Sequence, residues 1–269
     1  MTHAASRTLP LQALDDVAEA TSWLRFPAPE GAVVEPGHFF MLSPAAPTGS
    51  LFLGRPFSIG DVSDGAWHFL LRVLGRGTAW LRALEPGTPV RVVGPLGRPF
   101  ARRPRALHRM VAGGVGLAPF FHLARALRAE QPGARIELYY GERTARAHAA
   151  FRPGQELLFD GVERFTDDAT LGKGGTVVDG ALAAGGSPGS ASGEDGVAWY
   201  GCGPHPMLRA FAARLEAGGV LGAQVSMEER MGCGFGVCQA CVVTNRRQPP
   251  RYRLLCVDGP VVDPAEVAW

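Results

Sequence analysis

The stretch Met227–Cys256, MEERMGCGFGVCQACVVTNRRQPPRYRLLC, decides how the rest of the chain is read. It holds four of the five cysteines: Cys233, Cys238, Cys241 and Cys256. Their spacing is C-x4-C-x2-C, followed after fourteen residues by the last cysteine. The first three positions have the spacing of plant-type [2Fe–2S] ligation, in which four thiolates hold two irons. Glycines at 232, 234 and 236 surround the first two thiols. Glycine permits the positive φ that a tightly wrapped loop needs, and it brings amide N–H groups close to sulfur.

Three other readings compete. A disulfide framework belongs to small secreted chains, and the N-terminus MTHAASRTLPLQALDD has no apolar core of signal-peptide length. Structural zinc uses two Cys-x-x-Cys pairs, or one such pair and a His pair. Here only Cys238 and Cys241 have that spacing, and no His follows His205. Unrelated buried thiols do not explain four cysteines within twenty-four residues. The spacing favours an iron–sulfur cluster, with zinc behind it and disulfides last. The short gap to Cys256 departs from plant-type ferredoxins and calls for a compact hairpin between the third and fourth ligands.

The bulk composition sets the frame. The chain has 269 residues, 46% of them hydrophobic and 19% charged, enough for packed cores in one large domain or two to three small ones. A net charge of +2 gives no reason to expect nucleic acid or an acidic substrate. No apolar run reaches the roughly eighteen residues of a membrane span, so a cytoplasmic enzyme is expected, away from the membrane. Cys202 is left outside the cluster.

Residues 7 to 100 read as β structure. Short apolar runs (Gly37–Leu42, Trp67–Val73, Pro89–Val93) alternate with Gly/Pro turns at the pace of a small barrel or sandwich. Within them, Leu53–Gly60 reads LGRPFSIG. Arg55 offers a forked, permanent cation suited to a diphosphate, Phe57 a flat apolar surface, and Ser58 a hydroxyl for a ring heteroatom. The second stretch, Leu70–Leu81, reads LLRVLGRGTAWL; Thr78 is expected to N-cap a short helix, Ala79–Leu84, and so present amide groups to a phosphate. A third, Gly94–Phe100, reads GPLGRPF. Taken singly, each reads as a surface Arg, a core Phe or an ordinary turn; two such stretches in one small β-domain make a dinucleotide flavin site an equal alternative.

From residue 101 the pattern changes. Ala106–Val111 reads as a strand, AGGVGLAP (112–119) as a glycine turn, Leu117–Glu130 as a helix and Ile136–Tyr140 as the next strand. This β–turn–α–β unit predicts a parallel α/β sheet. Pro119 fits the first turn of the helix. Phe165–Asp179 reads as a strand end, a loop and a helix start, and Ala183–Gly196 as a flexible surface loop. Val197–Tyr200 reads as a buried strand entering GCGPHPML, with a helix from Pro206 to Ala217. Cys202, Gly203 and Pro204 then lie at the ligand-bearing edge of the sheet. His205 is read as a helix-start residue without a carboxylate partner, and no residue is assigned as a catalytic acid or base. Glu142 falls too far downstream for the acidic ribose partner of a Rossmann site.

With these motifs in view, the chain resembles the ferredoxin reductase superfamily. Within it, the chain resembles the electron transfer subunits of NAD-dependent (class B) dihydroorotate dehydrogenase. GRPFSI and LRVLGRGT resemble the FAD motifs of that family, and GGVGLAP and YGCGPHPM its nicotinamide motifs. The segment from ERMGCGFGVCQACVV to LLCVDGPVV resembles its [2Fe–2S] domain.

The resemblance implies a six-stranded antiparallel β-barrel binding FAD (residues 1–102), a parallel α/β NAD-binding domain (103–222) and a small cluster domain (223–269). It places Arg55, Pro56, Phe57 and Ser58 along FAD, with Leu71, Arg72 and Val73 beside it and Gly77 and Thr78 on its phosphate. Gly113, Gly114, Gly116 and Pro119 would form the nicotinamide dinucleotide turn, and Cys202, Gly203 and Pro204 would meet the nicotinamide near the flavin. Cys233, Cys238, Cys241 and Cys256 would hold the cluster.

The implied partner is an FMN-containing catalytic subunit that oxidises dihydroorotate in pyrimidine biosynthesis, in a heterotetramer of two of each. The alternative is another oxidoreductase partner, of hydrogenase or glutamate synthase type. The loop Asp167-Asp168-Ala169-Thr170 departs from the family's usual Asp-Gly-Ser.

Overall fold

Short alternating strands and tight turns fold the first hundred residues into two antiparallel sheets. The structure, a computed structural model, describes residues 4–46, 51, 53–184, 196–246 and 251–269. Most of the loop read as flexible, residues 185–195, lies outside the described residues. The strands are β1 (Ala5–Pro10), β2 (Ala13–Ala18), β3 (Thr21–Pro27), β4 (Phe39–Pro44), β5 (Arg55–Ser58), β6 (Asp61–Ser63), β7 (Ala66–Arg72) and β8 (Pro89–Leu96). Helix α1 (Arg76–Arg82) joins the last two. The sheet orders are β1-β8-β4-β5 and β2-β3-β7-β6.

The expected six-stranded barrel is thus eight strands in two sheets among the described residues. The count was hidden because β6 has only three residues and the pairing slips at Asp16/Ala18 and Phe39/Met41. Phe26, Phe40, Trp67 and Phe69 fill the space between the sheets, all fully buried. Phe40 lies 4.7 Å from Trp67 and 5.5 Å from Phe69, centroid to centroid. Such aromatic pairs are worth about 0.5–1.5 kcal/mol each beyond the area they bury. Phe57 joins this core with 9% exposure, so it offers an edge rather than the open flat surface expected of it.

The second half forms a parallel sheet. Its elements are β9 (Leu107–Gly113), α2 (Ala118–Glu130), β10 (Arg135–Glu142), β11 (Gly161–Thr166), β12 (Lys173–Gly174), α3 (Val177–Ala183), β13 (Val197–Cys202), α4 (His205–Ala217) and β14 (Gln224–Ser226). Helix α2 buries Phe120, Phe121, Leu123, Ala124 and Leu127, the stripe that helical periodicity predicts. Thr176 caps α3: its hydroxyl accepts from the Asp179 N–H at 3.1 Å.

The tail supplies β15 (Val242–Thr244), β16 (Tyr252–Leu254), α5 (Leu255–Asp258) and β17 (Val261–Val262). β15 and β16 pair antiparallel, which is the hairpin expected between Cys241 and Cys256. The seven-stranded order is β12-β11-β10-β9-β13-β14-β17, with β17 antiparallel at the edge. Two strands of this sheet therefore come from residues beyond 222. From β9 the chain winds outward through β10 and β11, then returns to β13 on the other side. The switch point lies between the carboxyl ends of β9 and β13, where open α/β sheets bind ligands.

The two-sheet unit packs on α2. Asp61 on β6 accepts from the Arg125 guanidinium at 2.9 Å and lies 3.4 Å from Arg152. Burial alone would raise the Asp61 carboxyl, but Arg125 outweighs it and holds it below the usual range. His38 and His68 are 3% and 2% exposed, and burial pushes each down to about 4. Both are therefore neutral in the folded chain, while the unfolded chain takes up these protons near pH 6.5. The folded state binds fewer protons in that window, so stability falls as pH drops from about 6.5 to about 4. Each histidine contributes roughly 3 kcal/mol to the loss, and protonation of Asp61 adds to it at lower pH. Thermal melts across this window should show the midpoint falling steadily; a flat profile would contradict the burial of these two rings.

Candidate functional site

The four tail cysteines form two close pairs. Cys241 and Cys256 are buried with their sulfurs 3.2 Å apart. Cys233 and Cys238 lie nearer the surface and are tied through the backbone. The Cys233 N–H donates to Cys238 Sγ at 3.4 Å, the Cys238 N–H to Cys233 Sγ at 3.4 Å, and the Phe235 N–H to Cys233 Sγ at 3.5 Å. Burial would raise the Cys233 thiol, yet the N–H groups of Cys238 and Phe235 outweigh it and bring it down to about 6. Burial and the neighbouring Cys241 push Cys256 up to about 12.

Gly234 and Gly236 adopt φ of +85° and +89°, as the wrapped loop demands. Among the described residues, no three His, Cys, Asp or Glu side chains converge on one ion. Two thiol pairs with amides aimed at sulfur suit a two-iron core.

A cavity of about 420 Å³ has a wall that ends at Met231, two residues before Cys233. This volume lies within the range of small-molecule clefts. Arg55, Pro56, Phe57 and Ser58 of β5 line it. The Arg55 guanidinium lies against Gly77, where any side chain would collide with it, and donates to the Leu53 carbonyl. Thr78 is not the N-cap. Helix α1 starts earlier, capped at Gly75, and Thr78 is its third residue. Its hydroxyl accepts from the Leu74 and Gly75 N–H groups at 2.9 and 3.0 Å and donates to the Gly75 carbonyl at 2.9 Å. Those two amides are thereby occupied. Leu71 and Val73 pack into the barrel core and Gly77 sits behind Arg55; Leu70, Arg72, Leu74 and Thr78 reach the cavity. The opposite wall, Met227 to Met231, was read only as the lead-in to the thiols.

A second cavity, about 850 Å³, occupies the switch point. Gly113, Gly114 and Pro204 line it, and Arg72 and Leu74 line both cavities. Gly116 serves packing instead: a side chain there would collide with the Cys202 carbonyl. Pro119 is buried in α2, and Gly203 packs against Met207 and the Gly113 N–H. Cys202 is fully buried; burial, with the Glu228 charge nearby, raises its thiol far above the usual range, and it stays protonated. His205 does start α4, but it has a carboxylate partner after all: its Nε2 lies 2.9 Å from Glu229. In the loop after β11, Ala169 stands at φ +55°, left-handed backbone better suited to the glycine of the usual motif. Glu142, set aside on spacing grounds, lines the second cavity and pairs with Arg72.

Two antiparallel sheets set against a parallel sheet at its switch point define the ferredoxin-reductase-like fold, here with a four-thiol tail added. The solved structure of an NADH-dependent reduced ferredoxin-NADP oxidoreductase has this fold: TM-score 0.79, 24% identity, covering 98% of this chain and 90% of that one. Residues 228–268 match the iron–sulfur cluster binding domain of dihydroorotate dehydrogenase B, and residues 110–213 the oxidoreductase NAD-binding domain. The electron transfer subunit of dihydroorotate dehydrogenase B (NAD+) from Bacillus caldolyticus is 36% identical over 87% of this chain and 86% of its own length. That of Desulforamulus reducens is 34% identical over 94% of each. The chain belongs to the family of dihydroorotate dehydrogenase B (NAD+) electron transfer subunits.

The packing of Gly116 on β13 can be measured directly. Gly116→Ala should lower unfolding free energy by at least about 2 kcal/mol. Gly133→Ala, at an open site with nothing within 4 Å, should stay within about 0.5 kcal/mol of the parent. Equal effects in denaturant melts would contradict the close approach.

Proposed function

We propose that this chain carries electrons between NAD and an FMN-containing dihydroorotate-oxidising subunit, through its own FAD and [2Fe–2S] cluster. The observation that carries the reading is adjacency. The two cavities share Arg72 and Leu74, and the wall of the first runs through Arg230 and Met231 into the thiol loop. FAD, when bound, supplies the exchange of a hydride with nicotinamide and of single electrons with the cluster.

The residues have separable tasks. Arg55, backed by Gly77, offers a fixed cation for the pyrophosphate of FAD, and Ser58 a hydroxyl for the ring edge. Gly113, Gly114 and Pro204 leave the switch point open for the nicotinamide dinucleotide. Cys233, Cys238, Cys241 and Cys256 hold the two irons. We assign residues 1–102, 103–222 and 223–269 to FAD, NAD and the cluster, noting that the tail also completes the sheet. Phe235, Val237 and Val257 stand exposed around the thiol loop, Val237 to 75%. Such a patch suits a partner that docks over the cluster. We assign the chain to the cytoplasm, in a heterotetramer with two catalytic subunits; no helix among the described residues is long and apolar enough to cross a membrane.

Anaerobic NADH titration tests the reading. The purified chain should be coloured and should bleach at both flavin and cluster wavelengths. Replacing any one of Cys233, Cys238, Cys241 or Cys256 by Ser should remove the iron, whereas Cys202→Ser should retain it. A colourless protein, or iron that survives Cys256→Ser, would sink the assignment. Copurification with a subunit that oxidises a substrate other than dihydroorotate would redirect it to another partner.

A further inference from the structure

Arg72 ends β7 where the two cavities meet, and its donors are nearly all spoken for. Its Nε donates to Thr21 Oγ1 at 3.1 Å, Nη1 to Glu142 Oε2 at 3.2 Å, and Nη2 to both Glu142 Oε1 and the Ala147 carbonyl. A guanidinium has five N–H groups. The one left over is on Nη1, the atom that a β-carbon added at Gly114 of the glycine turn would meet at 3.2 Å.

Glu142 is itself held. The Tyr140 hydroxyl donates to its Oε1 at 3.0 Å and accepts from the Ala149 N–H at 3.1 Å. The Glu142 side chain is 3% exposed and that of Arg72 18%. Burial works against the Arg72 charge, but the bonds to Glu142 outweigh it and hold its pKa above the ordinary value. The pair spans the junction from the barrel strand to the carboxyl end of β10.

We propose that Glu142, steadied by Tyr140, is a positioning residue: it fixes the Arg72 guanidinium between the two cavities and so sets the spacing of flavin and nicotinamide. The inference rests on the cofactor assignment above. A loose Arg72 could swing toward either cofactor's phosphates. A bidentate partner removes that freedom, keeps Nη1 beside the glycine turn, and ties the barrel to the sheet at the point where the reacting rings must meet. Neutralising the guanidinium also leaves the junction without a strong excess charge.

The test uses the anaerobically purified protein with FAD and cluster in place. Stopped-flow mixing with NADH gives the dissociation constant and the limiting rate of flavin reduction, and long-wavelength absorbance gives the nicotinamide–flavin charge-transfer band. Glu142→Gln should lower the limiting rate about 10- to 100-fold, since misplacement on the order of 1 Å costs that much. It should weaken the charge-transfer band, leave the NADH dissociation constant within about threefold (under ~1 kcal/mol), and retain flavin and iron. Glu142→Asp, which keeps the charge, should recover part of both signals.

Tyr140→Phe removes a single hydroxyl, so it serves if the glutamine variant fails to fold; a smaller change in the same direction is expected. Parental rate and band in Glu142→Gln, or in Tyr140→Phe should the former not fold, would overturn the proposal. So would a loss confined to NADH affinity. A parent protein without flavin would instead defeat the cofactor assignment itself, which is a separate outcome.

Discussion

The seating of the thiol loop on the barrel is the contact on which everything else depends. Gly234 lies so close to β4 that a side chain there would come within 2.8 Å of Met41 Cγ and 3.2 Å of Leu96 Cδ1. Next to Leu96, Gly97 faces Pro260 with no room for a β-carbon, and the Arg98 N–H donates to the Gly259 carbonyl at 2.5 Å. The tail then continues into β17 at the edge of the sheet. One segment thus touches barrel and sheet at once. Without that double contact the thiols would sit on a free appendage, and the segment Met227 to Met231 would not close the first cavity.

Two sets of ion pairs, each built on a buried carboxylate, fix the angle between barrel and sheet. Asp61 with Arg125 and Arg152 holds one flank, and Arg72 with Glu142 the other. Buried ion pairs add little net stability, because the desolvation of both partners offsets most of the attraction. They do penalise any geometry that separates them. Stability comes instead from the apolar cores, such as Phe40 against Trp67 and the stripe of α2. The charges choose one arrangement of the two bodies among those the cores would tolerate. That division of labour suits a protein whose redox groups must stay at fixed separations.

How much of the site was legible depended on distance along the chain. The thiol spacing, the hairpin between Cys241 and Cys256, the glycine turn before α2 and the helix start after the Phe165–Asp179 loop are local patterns, and each stands where the sequence put it. Gly116 was legible as special but for another reason: it permits close packing on Cys202. Thr78 was found as a capping residue, yet it caps from inside the helix because the chain turns at Gly75. The pairs Arg72–Glu142 and His205–Glu229 join residues 70 and 24 positions apart, and no periodicity reports such meetings. Strand number escaped because strands of three or four residues look like turns.

The sequence by itself determined the chemistry on offer: four thiols at cluster spacing, a forked cation before an aromatic and a hydroxyl, and glycine turns after buried strands. These are properties of neighbouring residues, set by covalent spacing and backbone sterics. Tertiary structure alone decided which groups face a cavity and which are consumed by packing. Arg72 is mostly spent on Glu142, Phe57 on the barrel core and Cys202 on the sheet interior, while Met227–Met231 becomes a wall. The physical reason is that desolvation and the filling of space are settled by whatever arrives from the far end of the chain.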